Sequence, residues 1–128
     1  MPPTNSKMNT FLKNFRRFHF VGIGGIGMCG LAEILALQRF VITGSDLIES
    51  EIIDRLRALG VEVSIGHKAS HIENAQAIVV SSAIPPENPE IRKALSKGLP
   101  IIQRAELLAE VTAEQKAIAI SGTHGKTT

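Results

Sequence analysis

The sequence is poor in cysteine and in large aromatic residues: its 128 residues include one cysteine, Cys29, and neither tryptophan nor tyrosine. A single cysteine excludes an internal disulfide and favours a reducing compartment, so we expect a cytoplasmic protein in which Cys29 is a small buried residue. Without tryptophan or tyrosine the chain offers little surface on which bases could stack. The formal net charge is only +2, and nucleic acid is therefore not expected as a partner.

Long apolar runs are also missing. The uncharged stretch from Phe18 to Gly30 is too short and too rich in glycine to cross a bilayer. The amino end, residues 1–14, has no apolar centre of the kind found in secretory signals. A membrane is therefore not expected as a partner. We expect residues 1–16 to be a leader that packs one helical turn against the folded domain through Phe11, Leu12 and Phe15.

The sequence does contain short apolar runs that alternate with helical patterns. The runs that we interpret as strands are 17–22, 40–43, 61–65, 77–80, 100–102 and 117–120. Strands that alternate with helices form right-handed βαβ units, so the pattern predicts an α/β fold. We expect a Rossmann-like open parallel sheet in the order 3-2-1-4-5, with helices on both faces. The third run alternates like an edge strand, and the fourth is apolar throughout, like a central strand.

Three helices have recognisable faces or ends. The first is predicted to bury one apolar face consisting of Met28, Leu31, Ala32 and Leu35. The second is predicted to bury Ile52, Leu56 and Leu59 and to stop at Gly60. The third is predicted to begin at an asparagine cap with proline and an acid in its first turn, Asn88, Pro89 and Glu90.

A glycine-dense turn follows the first predicted strand. Gly22, Gly24 and Gly27 form a Gly-x-Gly-x-x-Gly pattern, which permits positive φ angles and lets the backbone approach a diphosphate closely. The amides at the start of the next helix would face that anion. The alternative is a tight turn that binds no ligand, but the turn holds more glycines than its geometry requires. The predicted phosphate-binding residues are Gly22, Gly24, Gly25, Gly27 and Met28.

Polar groups follow the other strands. Because ligands of such sheets bind beyond the carboxyl ends of the strands, residues at these ends are expected to form one rim. Beside the glycines, the rim would contain Ser45 and Asp46 after strand two, His67 after strand three, Ser81, Ser82, Ala83 and Ile84 after strand four, and Arg104 after strand five. These groups match the needs of a nucleotide diphosphate that carries a sugar.

Each rim residue also has a structural alternative. Asp46 either grips ribose hydroxyls or caps the second helix. The serines either bind a uracil carbonyl or a phosphate, or satisfy the turn backbone. His67 is expected to stack on a base or bond a phosphate, and Arg104 either clamps an anion or forms a surface salt bridge. We interpret His19 as a structural histidine within strand one and His71 as a solvent-facing loop residue.

The last residues resemble a phosphate-binding P-loop after the sixth predicted strand. In such a loop the amides hold phosphates, the lysine reaches the β and γ phosphates, and the next hydroxyl binds Mg²⁺. The general spacing is not met, because Ile120 stands where the first glycine belongs. The predicted ATP-binding residues are Gly122, Thr123, His124, Gly125, Lys126, Thr127 and Thr128. We therefore divide the chain into a leader (1–16), a Rossmann-like domain (17–113) and the start of an ATP-binding domain (114–128).

Together these motifs resemble the amino-terminal part of the Mur ligase family over residues 18–128. The resemblance is carried mainly by the stretches from His19 to Met28 and from Ser121 to Thr128. Gly-Thr-x-Gly-Lys-Thr is the phosphate loop of this family, which explains the unusual spacing. Further matching motifs are Gly44-Ser45-Asp46, Ser81-Ser82-Ala83-Ile84, Asn88-Pro89-Glu90 and Arg104-Ala105-Glu106.

The resemblance implies a role in peptidoglycan synthesis, in the branch that joins L-alanine to UDP-N-acetylmuramate. In that branch a first domain binds the UDP-sugar, a central domain binds ATP and Mg²⁺, and a third binds the amino acid. ATP phosphorylates the lactyl carboxylate, and the amine of L-alanine attacks the acyl phosphate. Lys126 would stabilise the transferring phosphoryl group, and Thr127 would bind Mg²⁺. We expect this chain to bind the UDP-sugar without catalysing the reaction alone.

Three alternatives are considered, one from the same family and two from other classes. A murein-recycling ligase is the nearest relative that could be confused with this branch. A nicotinamide-binding dehydrogenase domain would satisfy the glycine pattern and Asp46 equally well, although it needs no second phosphate loop. A ligand-sensing regulatory module with the same core would not be an enzyme. The sequence does not reveal the oligomeric state.

Overall fold

The computed structural model describes the backbone of residues 10–126 and the side chains of residues 11–120. In chain order the helices are α1 (Thr10–Asn14), α2 (Met28–Leu37), α3 (Glu51–Ala58), a 3₁₀ helix (Ala69–Ile72), α4 (Pro89–Lys97) and α5 (Arg104–Lys126). The strands are β1 (Arg17–Val21), β2 (Val41–Asp46), β3 (Glu62–Ile65), β4 (Ala77–Val80) and β5 (Ile101–Gln103). Helices and strands therefore alternate from β1 to α5, although no helix was predicted between β3 and β4, where the 3₁₀ helix lies.

The strands form one five-stranded parallel sheet in the order β3-β2-β1-β4-β5, which confirms the predicted topology. All four residues of β4 are buried, whereas β3 lies at the edge and is only half-buried. A central strand covered on both faces has to be apolar throughout, and an edge strand does not. The carboxyl ends of all five strands consequently share one end of the sheet.

Each face of the sheet has its own apolar core. On one face Phe18 and Phe20 of β1 pack with residues of α2, α3 and α5. On the other face Val21 packs with Ile78, Val80 and residues of α4 and the 3₁₀ helix. Successive strand residues point to opposite faces, so His19 lies on the same face as Val21. One polar side chain of β1 therefore enters the face covered by α4.

The predicted caps of α4 and the predicted buried face of α2 are confirmed, whereas the predicted buried face of α3 changes. The Asn88 side chain accepts from the Glu90 N–H with Pro89 at the first position, and Gly98 ends α4 at φ 73°. The buried face of α2 is Met28, Leu31, Ala32 and Leu35, as predicted. In α3, however, Ile53 and Leu56 are the buried residues, whereas Ile52 and Leu59 are 39% and 37% exposed. The buried face of α3 therefore contains two residues instead of the predicted three, and it begins at Ile53 instead of Ile52.

The leader contacts the domain as expected. Phe11, Leu12 and Phe15 pack against the core face that α5 covers. The N–H groups of Phe11 and Leu12 donate to the buried Glu110 carboxylate of α5, at 3.2 and 2.6 Å. Burial raises the pKa of Glu110, although these two backbone hydrogen bonds oppose the rise. One acid of α5 thus holds the start of α1.

The predicted sixth strand is wrong, because residues 117–120 lie within α5. Alanine, glutamate, glutamine and lysine before this run favour helix, and a helix satisfies its own backbone hydrogen bonds whereas a strand needs a neighbour. Ile118 and Ile120 are 64% and 67% exposed. Within the described part of the chain, every helix is too short or too polar to span a bilayer.

Candidate functional site

The glycine turn lies at the carboxyl end of β1 and is anchored to β2. The N–H groups of Gly22 and Ile23 both donate to the Ser45 carbonyl, at 2.8 and 2.9 Å. Gly22 and Gly27 have φ angles of 76° and 83°, which only glycine adopts without strain. The backbone thus turns sharply from β1 into α2, as the glycine pattern predicted.

Asp46 is fixed on this turn. Its Oδ2 accepts from the Gly24 N–H at 2.7 Å, and its Oδ1 accepts from the Leu47 N–H at 2.7 Å. The helix-capping alternative for Asp46 is wrong, because the Ser50 side chain caps α3 by accepting from the Ile53 N–H at 3.3 Å. Both oxygens of the predicted ribose-binding acid already hold backbone amides of the rim.

Arg104 lies over the turn, although 77 residues separate it from Gly27 along the chain. A Cβ placed on Gly27 would be 3.2 Å from both Cδ and Nη1 of Arg104. No carboxylate of the described residues forms a salt bridge with Arg104. The structural alternative of a surface salt bridge is therefore not realised, and the guanidinium faces the glycine turn.

Two amides of the turn remain available to a ligand. The Gly25 N–H donates to the Gly22 carbonyl, and the Met28 N–H donates to the Gly25 carbonyl, both at 3.0 Å. The N–H groups of Ile26 and Gly27 donate to no acceptor among the described residues. They precede the first turn of α2, whose dipole is positive at this end. Together with Arg104 they form a site that favours an anion.

The segment after β4 completes this side of the rim. A Cβ placed on Gly22 would be 3.0 Å from Cδ1 of Ile84, so Ile84 lies directly against the turn. The Ile84 N–H donates to the Ser81 carbonyl at 3.1 Å. Neither the Ser81 nor the Ser82 hydroxyl bonds to a described group, so neither satisfies the turn backbone. Ligand binding by Ser81, Ser82 and the exposed Ala83 stays a prediction.

A buried carboxylate, Glu90, lies beneath the other side of the rim. The side chain of Glu90 is fully buried at the start of α4. His19 Nε2 and the Ser45 hydroxyl lie 3.0 and 2.6 Å from Oε1. His71 Nδ1 and the Lys68 N–H lie 2.6 and 3.2 Å from Oε2. Residues of β1, β2 and the segment after β3 therefore converge on one carboxylate.

These contacts stabilise the ionised form of Glu90. Burial raises its pKa, but hydrogen bonds from His19, Ser45 and His71 and the charge of His19 outweigh burial and lower the pKa to about 2. An ionised carboxylate only accepts hydrogen bonds, so each of its neighbours has to donate. The Lys68 N–H, which also lies 3.3 Å from His71 Nδ1, therefore donates to Glu90, because His71 Nδ1 carries the proton given to Oε2.

The structure confirms one histidine prediction and corrects another. His19 is structural, since its side chain is 1% exposed and joins Thr43 Oγ1 at 2.7 Å to Glu90. The solvent-facing assignment of His71 is wrong, because its side chain is only 15% exposed and bonds Glu90. Sequence reasoning placed Glu90 only in the first turn of a helix and missed its central position. No local pattern identifies it, since its partners come from three other segments.

His67 lies between this cluster and the rim. Its Nδ1 is 2.8 Å from the Ser45 hydroxyl and 3.6 Å from Glu90 Oε1. The preceding Gly66 N–H donates to the Asp46 carbonyl at 2.7 Å. His67 therefore lies beside Asp46 at the mouth of the sheet, as predicted, and its side chain is 14% exposed.

The predicted ATP-binding residues do not form a phosphate loop in this structure. The backbone from Gly122 to Lys126 is helical, and the amides of a helix interior already bond carbonyls of the preceding turn. Thr127, the predicted Mg²⁺ ligand, and Thr128 lie outside the described residues. Within the described residues, no group of His, Cys, Asp and Glu side chains is arranged to hold a metal ion. The roles of these residues in ATP binding stay predictions.

A polar cavity of about 240 Å³ lies on the face that carries Glu90, but not at the rim. Its lining includes Arg17, Val41 and Glu62, which begin three strands. Ligands of parallel sheets bind at the opposite, carboxyl end. The glycine turn, and not this cavity, is therefore the candidate site.

Comparisons with known proteins show the family of the chain. A family model described as "Mur ligase family, catalytic domain" matches residues 17–116. A UDP-N-acetylmuramate–L-alanine ligase from Psychrobacter sp. (strain PRwf-1) is 48% identical over 117 residues, which are 91% of this chain and 25% of that protein. The chain thus spans about a quarter of the length of this relative.

Solved structures share the fold. The UDP-N-acetylmuramate–alanine ligase MurC of Thermotoga maritima matches with a TM-score of 0.74 and 31% identity, over 78% of this chain and 23% of that one. The murein peptide ligase of Psychrobacter arcticus 273-4 matches with a TM-score of 0.70 and 27% identity, over 74% and 20% of the two chains. A Bacillus halodurans protein described as an NAD-dependent epimerase/dehydratase matches at 16% identity with a TM-score of 0.54, over 80% and 64%, which shows the fold alone.

Proposed function

The chain belongs to the Mur ligase family, and on that premise we propose that it is the UDP-sugar-binding part of a UDP-N-acetylmuramate–L-alanine ligase. The observation that carries the proposal is the anion site at the glycine turn. The N–H groups of Ile26 and Gly27 donate to no described acceptor just before α2, and the Arg104 guanidinium lies beside Gly27. A diphosphate carries the charge that such a site stabilises.

The nucleoside and the sugar extend from this point along the rim. We assign the predicted contacts on one side to Ser81, Ser82, Ala83 and Ile84, and on the other side to His67. The predicted contact by Ser45 is not retained, because Ser45 is fully buried and its hydroxyl bonds Glu90 and His67. Asp46 supports the turn through the Gly24 N–H and lies within reach of the same ligand. The match to an alanine ligase at 48% identity supports this branch.

The activity of the whole protein is part of the same proposal. It would join L-alanine to UDP-N-acetylmuramate in the cytoplasm, with ATP and Mg²⁺ as cofactors. Lys126 would act on the transferring phosphoryl group and Thr127 on Mg²⁺. What supports these assignments is the family and the Gly-Thr-His-Gly-Lys-Thr sequence.

A nicotinamide-binding domain is the second candidate, and the family match over residues 17–116 argues against it. In dinucleotide-binding domains the acid about 20 residues after the glycines bonds the ribose hydroxyls. Here both carboxylate oxygens of Asp46 accept backbone N–H groups, from Gly24 and Leu47. Each oxygen still has a second acceptor position, so the contacts of Asp46 are compatible with both candidates.

Titration of the isotope-labelled chain tests the proposal. We expect UDP-N-acetylmuramate and UDP to shift the amide resonances of Gly22–Gly27 and Ser81–Ile84 in a saturable way, and NADH to leave them unchanged. The variant Arg104→Ala should raise the Kd of the UDP-sugar by about tenfold to a hundredfold, because it removes charge-assisted hydrogen bonds worth about 1.5–3 kcal/mol.

The control is Arg92→Ala, which removes an exposed arginine of α4 and should leave the Kd unchanged. Saturation by NADH with no response to UDP-N-acetylmuramate would contradict the proposal. So would equal affinities of the Arg104→Ala and wild-type chains.

A further inference from the structure

The Glu90 cluster fixes the proton positions of its neighbours. Ionised Glu90 has no proton to give, so the Ser45 hydroxyl 2.6 Å away donates to Oε1. The only hydroxyl proton of Ser45 is used in this bond, and its oxygen can therefore only accept from His67 Nδ1 at 2.8 Å. His67 Nδ1 consequently carries a proton.

The other neighbours of Glu90 disfavour the opposite arrangement, in which the Ser45 hydroxyl would donate to His67 Nδ1. His19 Nε2 also donates to Oε1, and His71 Nδ1 and the Lys68 N–H donate to Oε2. The carboxylate thus receives four donors, two on each oxygen. A reversed Ser45 hydroxyl would leave one buried acceptor position of Glu90 empty, which costs the desolvation of that group.

The same serine connects the cluster to the glycine turn. Its backbone carbonyl accepts from the Gly22 and Ile23 N–H groups, while its hydroxyl joins Glu90 to His67. The outer ring nitrogen of His67, Nε2, bonds no described residue. This nitrogen is the part of His67 that remains available at the mouth of the sheet.

We propose that Glu90 is a positioning residue that acts through Ser45 to hold His67 in the Nδ1-protonated tautomer, so that Nε2 accepts a hydrogen bond from the UDP-sugar. The ligand group is a hydrogen-bond donor, either the uracil N3–H or a sugar hydroxyl. This inference rests on the proposed function for the identity of the ligand, but not for the tautomer.

The tautomer is measured on the free 128-residue chain by imidazole ¹⁵N NMR at pH 8, with His67→Gln to assign the signals. We expect His67 to be protonated at Nδ1. In Glu90→Gln the new amide can donate to Ser45, whose hydroxyl can then donate to His67, so the proton should move to Nε2. The exposed Glu87 provides the control Glu87→Gln, which should keep the wild-type tautomer.

A wild-type chain protonated at Nε2 overturns the proposal, even where Glu90→Gln fails to fold. A folded Glu90→Gln variant that keeps the Nδ1 proton overturns the role of Glu90. A purely structural role for Glu90 would alter stability but leave the tautomer of His67 unchanged.

Calorimetry with UDP-N-acetylmuramate tests the ligand contact. We expect Glu90→Gln to raise the Kd by about tenfold, the cost of one hydrogen bond with the wrong donor. If uracil is the donor, wild type binds the 3-methyluridine analogue about tenfold more weakly than the parent compound. The analogue then binds wild type and Glu90→Gln with equal affinity. If a hydroxyl is the donor, the analogue and the parent bind wild type equally. An unchanged Kd in Glu90→Gln overturns the contact between His67 Nε2 and the ligand. A wild-type chain that binds no UDP compound overturns the proposed function, and the NMR result then tests the tautomer by itself.

Discussion

At the scale of single residues, the hydrogen bonds to Glu90 make the stability of the fold depend on the ionisation of this carboxylate. Its pKa falls from the ordinary 4.5 to about 2 in the folded chain. Ionised Glu90 therefore stabilises the fold fully at pH values above about 4.5. This stability is lost as the pH falls from about 4.5 towards 2. At about 1.4 kcal/mol per pKa unit the full contribution is about 3 kcal/mol, of which roughly 2 kcal/mol is lost between pH 5 and pH 3.

Urea unfolding of wild type and Glu90→Gln across this pH range measures the effect. We expect the difference in free energy of unfolding between the two chains to shrink by roughly 2 kcal/mol from pH 5 to pH 3. The groups that face Glu90 are His19 from β1, and His67 and His71 from the segment after β3; all three remain in the variant. A difference that stays constant with pH would show that Glu90 is not ionised in the fold.

The sequence predicted single residues well where their role is local and poorly where it is not. The glycine turn and the Asn88 cap depend on neighbours a few residues away, and both form as predicted. Glu90 depends on His19 and Ser45, which are 71 and 45 residues away in sequence. Only the assembled sheet brings these residues together, and no spacing along the chain indicates it.

At the scale of elements, α5 combines a packed half with an exposed half. Leu107 and Val111 are 0% and 1% exposed in the core, whereas Ile118 is 64% exposed. We expect Leu107→Ala to lower the free energy of unfolding by about 2–5 kcal/mol, because it leaves a cavity in the core. Ile118→Ala should change the free energy of unfolding by no more than about 0.5 kcal/mol.

Urea unfolding of the two variants measures both values, and each variant is the other's control. Equal destabilisation by Ile118→Ala would show that this half of the helix is packed against the domain. Circular dichroism of both variants would separate a loss of packing from a loss of helix.

The exposed half of α5 is also where the sequence misled the prediction of a strand. An apolar run of alanine and isoleucine fits a buried strand and a helix equally well when only its composition is considered. Strand order was predictable because most of the five runs are separated by helices whose faces or caps are clear in the sequence. Residues 117–120 have no such helix after them within the described residues, and the helix-favouring residues before them decide the outcome.

At the scale of the whole molecule, binding and catalysis should be separable. The described residues form one sheet whose anion site lies at the mouth of β1, and the chain spans 25% of the length of its Psychrobacter relative. The proposed reaction needs three bound reactants: UDP-N-acetylmuramate, ATP and L-alanine. Under the proposal this chain positions only the first, and positioning of all three is what makes a phosphoryl transfer fast.

We therefore expect the 128-residue chain to bind UDP-N-acetylmuramate but to release no ADP in response to L-alanine. A coupled assay for ADP with ATP, Mg²⁺ and both substrates measures this, and the full-length Psychrobacter ligase is the positive control. Saturable binding without turnover is the expected pair of results, because the proposed site at the glycine turn would hold the diphosphate, whereas the transfer also needs bound ATP and L-alanine. Alanine-dependent ADP release from the chain alone would show that Gly122–Thr128 form a working ATP site, in conflict with the helix that spans residues 122–126 here.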